Sequence, residues 1–302
     1  MTQPTLTIPQ VDAQKQLHIT DEQAQFFLDN GFLVIRNVLV GEELKKIQND
    51  MYSLYEKGIS GTDLGEDYLY HKRADGSRRF WRVEYVIEKM DVMKSLLAHP
   101  FILRSVEKIQ GNNFIPTWDS MVVKVPNHAA AVPWHRDAEN PGGAGAKPIF
   151  NVDFYLDPAD ERSCLWVIPG STHWTKEDAD AYCARPGFSF EGAIPVPMNP
   201  GDVIFHDIQL LHGSPEGDGN DLRRTVYFEF RAGENEDEFG PHTLEYIPLK
   251  QQVLLDCIEY RKTQDFAADE TAFEYKPTGK FAVSKLKKPD NYRYAHGEFW
   301  RK

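Results

Sequence analysis

The chain has 302 residues and a formal charge of −12, with 41% hydrophobic and 26% charged residues. That length can bury a full core, and the balance is typical of soluble globular proteins. The acidic charge argues against nucleic acid or an anionic membrane as partner, since both need a basic face. No apolar run approaches a membrane span, and Met1 to Lys15 lacks a hydrophobic signal core. Cys164, Cys183 and Cys257 are an odd, scattered set that suggests a reducing compartment, with the cytoplasm as default.

Residues 1–17 are polar and read as a loose arm. Thr20-Asp21-Glu22-Gln23 is a capping box that opens a helix closed by Asn30-Gly31, and Phe32 to Arg36 follows as a strand. Glu42 to Lys57 carries Leu44, Ile47, Met51, Leu54 and Tyr55 on one stripe, with Gly58 as terminator. Gly58 to Tyr70 reads as a loop. The basic run His71 to Arg79, with Asp75-Gly76 inside it, reads as a hairpin. Its charges either face water or form a cationic rim for an anionic substrate. Helices are expected over Val86 to Leu97 and Phe101 to Ile109, the latter ended by Gly111.

Beyond Gly111 the pattern changes to short strands separated by turns: Met121 to Val125, Ile149 to Leu156, Cys164 to Ile168, a turn-fed strand ending at Asp207, and Thr225 to Arg231. This spacing predicts a mainly β chain with flanking helices and a double-stranded β-helix, or jelly-roll, core. The expected organisation is one domain over 1–302. A helical part with a lid segment (18–110) precedes the jelly-roll core (112–232), and a C-terminal helix and tail (246–302) end the chain. Val253 to Arg261 is the late helix, and Tyr292, Tyr294, Phe299 and Trp300 predict that the tail docks.

Pro133-Trp134-His135-Arg136-Asp137 is the stretch with the most chemistry. Residues two apart in extended backbone point to the same side, so His135 and Asp137 can reach one point. Alone, the pair is also what a histidine bonded to a nearby acid on a strand edge looks like. A metal needs a third ligand, and His206 and His212 compete for that role. His212 is favoured, because it sits before Gly213-Ser214 at a strand end with room for an ion. Two imidazoles and one carboxylate on one face of an octahedral ion leave three positions open, the arrangement of non-haem Fe(II) oxygenases. Arg223 follows a Gly- and Asp-rich turn, and a hairpin of that length would fold it back beside His212. A guanidinium there can hold a carboxylate through two parallel hydrogen bonds, with the Ser214 hydroxyl sharing it. Either Arg223 or Arg224 is then a surface charge.

The stretch from Thr20 to Arg231 resembles the phytanoyl-CoA dioxygenase family of iron- and 2-oxoglutarate-dependent oxygenases. The resembling pieces are Asn30 to Leu39, Met121 to Lys124, Trp134 to Asp137, Cys164 to His173, Asn199 to His206, and Leu211 to Ser214 with Arg223-Arg224. The resemblance implies that His135, Asp137 and His212 ligate Fe(II), and that Arg223 with Ser214 binds the distal carboxylate of 2-oxoglutarate. Lys124 is a further candidate for that cosubstrate. Thr172 intervenes before His173, so His173 is given no catalytic role, and Arg162-Ser163 replaces the family's usual Asn-Gly, which leaves fold and ligands unaffected. The resemblance implies a dioxygenase acting on a small-molecule metabolite with O2, forming succinate and CO2. Asp137 stands where related halogenases have Ala or Gly, so hydroxylation is expected, with desaturation, epimerisation or ring formation as variants. The competing readings are a non-catalytic metal-binding jelly roll and a zinc-dependent isomerase or hydrolase. Trp81, Arg82, Tyr68, Tyr70, Arg78 and the 138–147 loop are the candidate pocket walls.

Overall fold

A computed structural model describes residues 6–62, 64–73, 76–126, 130–217 and 222–282. Twelve strands are described: β1 (Val11–Asp12), β2 (Phe32–Arg36), β3 (Tyr68–Lys72), β4 (Arg78–Glu84), β5 (Phe114–Lys124), β6 (Val132–His135), β7 (Phe150–Tyr155), β8 (Leu165–Val167), β9 (Ile194–Val196), β10 (Val203–Asp207), β11 (His212–Ser214) and β12 (Arg223–Ala232). The helices are α1 (Asp21–Asn30), α2 (Gly41–Ser60), α3 (Val86–Lys89), α4 (Val92–Leu97), α5 (Pro100–Gln110), α6 (Lys176–Cys183), α7 (Gly233–Phe239) and α8 (Tyr246–Arg261). None of the described helices is long and apolar enough to cross a membrane.

Eight strands form a major sheet in the order β1-β2-β10-β7-β12-β5-β4-β3, and four form a minor sheet in the order β6-β11-β8-β9. This is a jelly roll with flanking helices, as the strand spacing predicts. The two faces of the major sheet differ in chemistry because side chains alternate along a strand. On β12, Val226, Phe228 and Phe230 join the apolar core with residues of α1, α2, α4, α5 and α8. Arg223, Thr225, Tyr227 and Glu229 line a cavity on the opposite side. On β7, Phe150, Val152 and Phe154 belong to that core, whereas Asn151, Asp153 and Tyr155 line the cavity. A second apolar cluster (Phe32, Val34, Trp134, Leu165 to Ile168, Ile204, Leu210 and Leu211) links the minor sheet to β2 and β10.

Several local expectations need correction. The arm is not wholly loose, since Val11 and Asp12 pair in parallel with Ile35 and Arg36. The stretch 86–97 is two helices, because Met90 is extended at φ −139°, ψ 112°. The last residues of the expected loop, from Tyr68, form β3. Two helices, α6 and α7, were not expected. His212 and Arg223 are not partners in a hairpin, because β11 lies in the minor sheet and β12 in the major one. The tail aromatics Tyr292 to Trp300 and the hairpin's Asp75 lie outside the described residues.

Gly58 does not terminate α2, which runs on to Ser60. A Cβ at Gly58 would stand 2.4–2.7 Å from ring atoms of Phe80. Phe80 is buried at 3% exposure and precedes Trp81 and Arg82 on β4, so the glycine lets the helix approach the strand that enters the cavity. Alanine gains about 1 kcal/mol of helix propensity, but overpacking costs about 1–3 kcal/mol. Gly58→Ala is therefore expected to lower the free energy of urea unfolding by about 1 kcal/mol, and Gly58→Ala with Phe80→Leu to recover part of it.

Candidate metal centre and cosubstrate pocket

The site begins with strand pairing. His212 of β11 is the antiparallel Cα partner of His135 of β6, which places the two imidazoles side by side with ring centroids 4.2 Å apart. Each ring binds its own backbone two residues back: His135 Nδ1 lies 2.8 Å from the Pro133 carbonyl and His212 Nδ1 lies 2.9 Å from that of Leu210. A carbonyl only accepts, so both Nδ1 atoms carry the proton, and each ring in its neutral form presents its lone pair at Nε2. Burial, and then the neighbouring His135, hold the pKa of His212 down to about 3, which keeps the ring neutral.

Asp137 closes the set. Its backbone N–H donates to Ile208 at 2.9 Å, and its Oδ1 stands 3.4 Å from His135 Nε2 and 3.7 Å from His212 Nε2. The ligating atoms of all three residues lie within 4.8 Å of one another. Ligand bonds of about 2.1 Å at right angles would separate donors by about 3 Å, so the residues fit one ion with little adjustment. Burial works to raise the Asp137 carboxyl, but its histidine neighbours hold it well below the usual range, His135 and His206 through hydrogen bonds. A second cluster, Glu43, His99 and Glu270, also meets the distance criterion. There Arg261 donates to Glu43 at 2.7 Å and to Glu270 at 2.6 Å, so a guanidinium already stands between the carboxylates.

His206, the other candidate ligand, is on β10 and takes a different position. Its Nε2 lies 3.1 Å from Asp137 Oδ2, and its Nδ1 lies 3.0 Å from Asp153 Oδ2. Contacts with a carboxylate on each side are favourable only if both nitrogens are protonated. Burial opposes that charge, yet Asp153 and Asp137 raise the pKa to about 10. Asn151 Nδ2 also donates to Asp137 Oδ2, at 2.9 Å. Asn151 and Asp153 were missed in the sequence. The available signal was the alternation of polar and apolar residues along 150–155.

The cavity, of about 320 Å³, runs from this centre between the two sheets. At one end lies Arg223, 5% exposed. Its Nη1 donates to the Ser163 carbonyl and, at 3.1 Å, to Ser214 Oγ, while Nε has no partner among the described residues. Ser214 Oγ itself donates to the Ser163 carbonyl at 3.0 Å. No acidic side chain among the described residues is ion-paired with Arg223. Arg224 points to the opposite face, where Nε and Nη2 each donate to Asp157 at 2.8 Å. The structure thus separates the two arginines that the sequence left as alternatives.

Lys124 is not brought to the cavity. It is the Cα partner of Arg223 across β5 and β12, and its ammonium turns to the carbonyls of Ala130, Ser214 and Pro215. Burial, and then the charge of Arg223, push its pKa down to about 7. The like charge beside it explains why it turns away. Trp81 and Arg82 do reach the cavity, with Trp118, Val122, Val132 and Tyr227. Arg82 is held by Glu84 at 2.5 Å and donates to the Tyr227 hydroxyl. Tyr68 and Tyr70 pack on Phe80 instead, and Arg78 is exposed over the Tyr70 ring. In the 138–147 loop, Asn140 Nδ2 donates to the Lys147 carbonyl at 2.9 Å, and none of the loop's described residues lines the cavity.

The fold and sequence have relatives. Human peroxisomal phytanoyl-CoA dioxygenase is 22% identical over 235 residues, covering 72% of this chain and 69% of its own. The crystal structure of EvdMO1 superposes with a TM-score of 0.58 at 28% identity over 69% of this chain, a match that spans only 49% of EvdMO1. The iron-bound crystal structure of EctD from S. alaskensis gives a TM-score of 0.60 at 19% identity over 72% of this chain and 78% of that one. The family description of phytanoyl-CoA dioxygenase (PhyH) matches residues 27–225, from α1 through the start of β12 and including every residue of the centre, so the chain belongs to that family.

Proposed function

We propose that this protein is an Fe(II)- and 2-oxoglutarate-dependent dioxygenase that hydroxylates an unactivated C–H bond of a small-molecule metabolite. The observation that carries this reading is the placement of two imidazoles and a carboxylate beside a cavity that also holds a buried arginine with no carboxylate partner among the described residues. His135, Asp137 and His212 hold the iron through Nε2, Oδ1 and Nε2. Arg223 receives the distal carboxylate of 2-oxoglutarate, and Ser214 keeps the guanidinium in place.

Bound iron with 2-oxoglutarate and O2 supplies oxidative decarboxylation to succinate and CO2, and with it the oxidant that removes hydrogen from the substrate. The protein's part is positional. The backbone carbonyls of Pro133 and Leu210 fix the tautomer of each imidazole, which a metal ligand requires. Trp81, Trp118, Val122 and Val132 wall the space beside the centre, restrict water, and leave room for a substrate carbon. Arg82, neutralised by Glu84, gives that wall a polar edge without an unbalanced charge.

The reading is tested by succinate release and oxygen uptake with added Fe(II) and 2-oxoglutarate, stimulated by substrate from a metabolite panel. His135→Ala and Asp137→Ala are each expected to lose iron binding and succinate release together, and full activity in either would overturn the assignment. Arg223→Ala removes charge-assisted hydrogen bonds of about 1.5–3 kcal/mol each. The 2-oxoglutarate concentration for half-maximal rate should then rise by roughly one to a few orders of magnitude while iron stays bound. Arg224→Ala is expected to leave that concentration unchanged and to lower stability, because it strands Asp157, a loss of about 3–5 kcal/mol for a buried pair.

A further inference from the structure

We propose that Asn151 and His206, with Asp153 behind His206, are positioning residues that restrict Asp137 to binding metal through a single oxygen. The inference rests on the metal reading above. A carboxylate has two oxygens, and a bidentate Asp137 would take one of the three positions that the cosubstrate and O2 need.

The geometry divides the work between the two oxygens. Oδ1 faces His135 and His212. Oδ2 faces the other way and meets two N–H donors, Asn151 Nδ2 at 2.9 Å and His206 Nε2 at 3.1 Å. These donors are neighbours by strand register, since His206 of β10 is the Cα partner of Asn151 of β7. They lie on the inner face of the major sheet, opposite the minor sheet that carries both histidine ligands. Asp153 Oδ2 stands 3.0 Å from His206 Nδ1, on the side of the ring away from Asp137. With its amide turned the other way, Asn151 would set oxygen against oxygen at Oδ2, so the carboxylate selects the donor orientation. To bind metal with Oδ2 as well, Asp137 would have to give up both hydrogen bonds inside a buried region, where unmade bonds are costly.

The test uses Mn(II) alone, with no turnover. Mn(II) bound to the apo-protein in ¹⁷O-water reports the number of exchangeable inner-sphere waters by EPR line broadening. Loss of Mn(II) binding in Asp137→Ala identifies the site. Wild type is expected to show three waters. Asn151→Leu, which keeps the volume and removes the donor, and Asn151→Leu with His206→Phe are expected to show two, with Mn(II) affinity changed by about 10–100-fold. His206→Phe alone is expected to show two as well, and His206→Gln, which keeps an N–H donor towards Oδ2, to hold the count at three, a rescue that a purely structural role would not produce. Three waters and wild-type affinity in both Asn151→Leu and the double variant would overturn the proposal, as would two waters in wild type. Wild-type protein that fails to bind Mn(II) at Asp137 would instead overturn the metal reading on which it stands.

Discussion

Two imidazoles held in register on adjacent antiparallel strands, each tied to the carbonyl two residues before it, are the constraint on which the rest of the site depends. The strand register brings the rings to 4.2 Å, and the backbone carbonyls decide which nitrogen keeps its proton. Neither device uses a distant side chain, so both lone pairs are aimed as soon as the minor sheet forms. Asp137 then has only to arrive from the end of β6, where its N–H is fixed by Ile208.

The major sheet answers this with a polar inner face on strands whose outer face is mostly apolar. Strand period makes the two properties compatible: on β7 and β12 every second residue belongs to the core and every second to the cavity. A slip of one residue would bury the charges and expose the phenylalanines to the cavity, so the apolar core holds the register of the chemistry. Arg223 and Arg224 display this directly. They are adjacent and identical in type, yet one enters the cavity and the other closes a bidentate pair with Asp157.

Much of this was legible from residue patterns. The Pro133–Asp137 stretch became informative only in combination with the His212-Gly213-Ser214 strand end, Arg223 and the family resemblance, and the short-strand spacing after Gly111 predicted the jelly roll. What stayed hidden depended on packing across long sequence distances. Gly58 looks like a terminator locally, and only the Phe80 ring against it shows why the helix continues. The hairpin expected between His212 and Arg223 failed because a turn-rich sequence does not say which sheet the next strand joins. Asn151, Asp153 and His206 were visible as polar residues in otherwise apolar strands, but their common target, Asp137, is set by the facing of two sheets.

Charge balance links the two ends of the cavity. Burying an ion without a partner costs several kcal/mol, and the neighbouring arginines avoid that cost: Arg82 has Glu84, Arg224 has Asp157, and Arg231 has Glu229 and Glu236. Arg223 has only a carbonyl and a hydroxyl among the described residues, and Lys124 beside it adds repulsion. The described residues thus hold an uncompensated positive charge at one end and, at the other, three ligands of which only Asp137 is anionic. A dianion spanning the cavity, with one carboxylate on Arg223 and the other at a divalent cation, satisfies both ends at once, whereas a monoanion or a neutral ligand leaves one of them unpaired. Metal and cosubstrate are on this account electrostatically interdependent, each lowering the cost of holding the other.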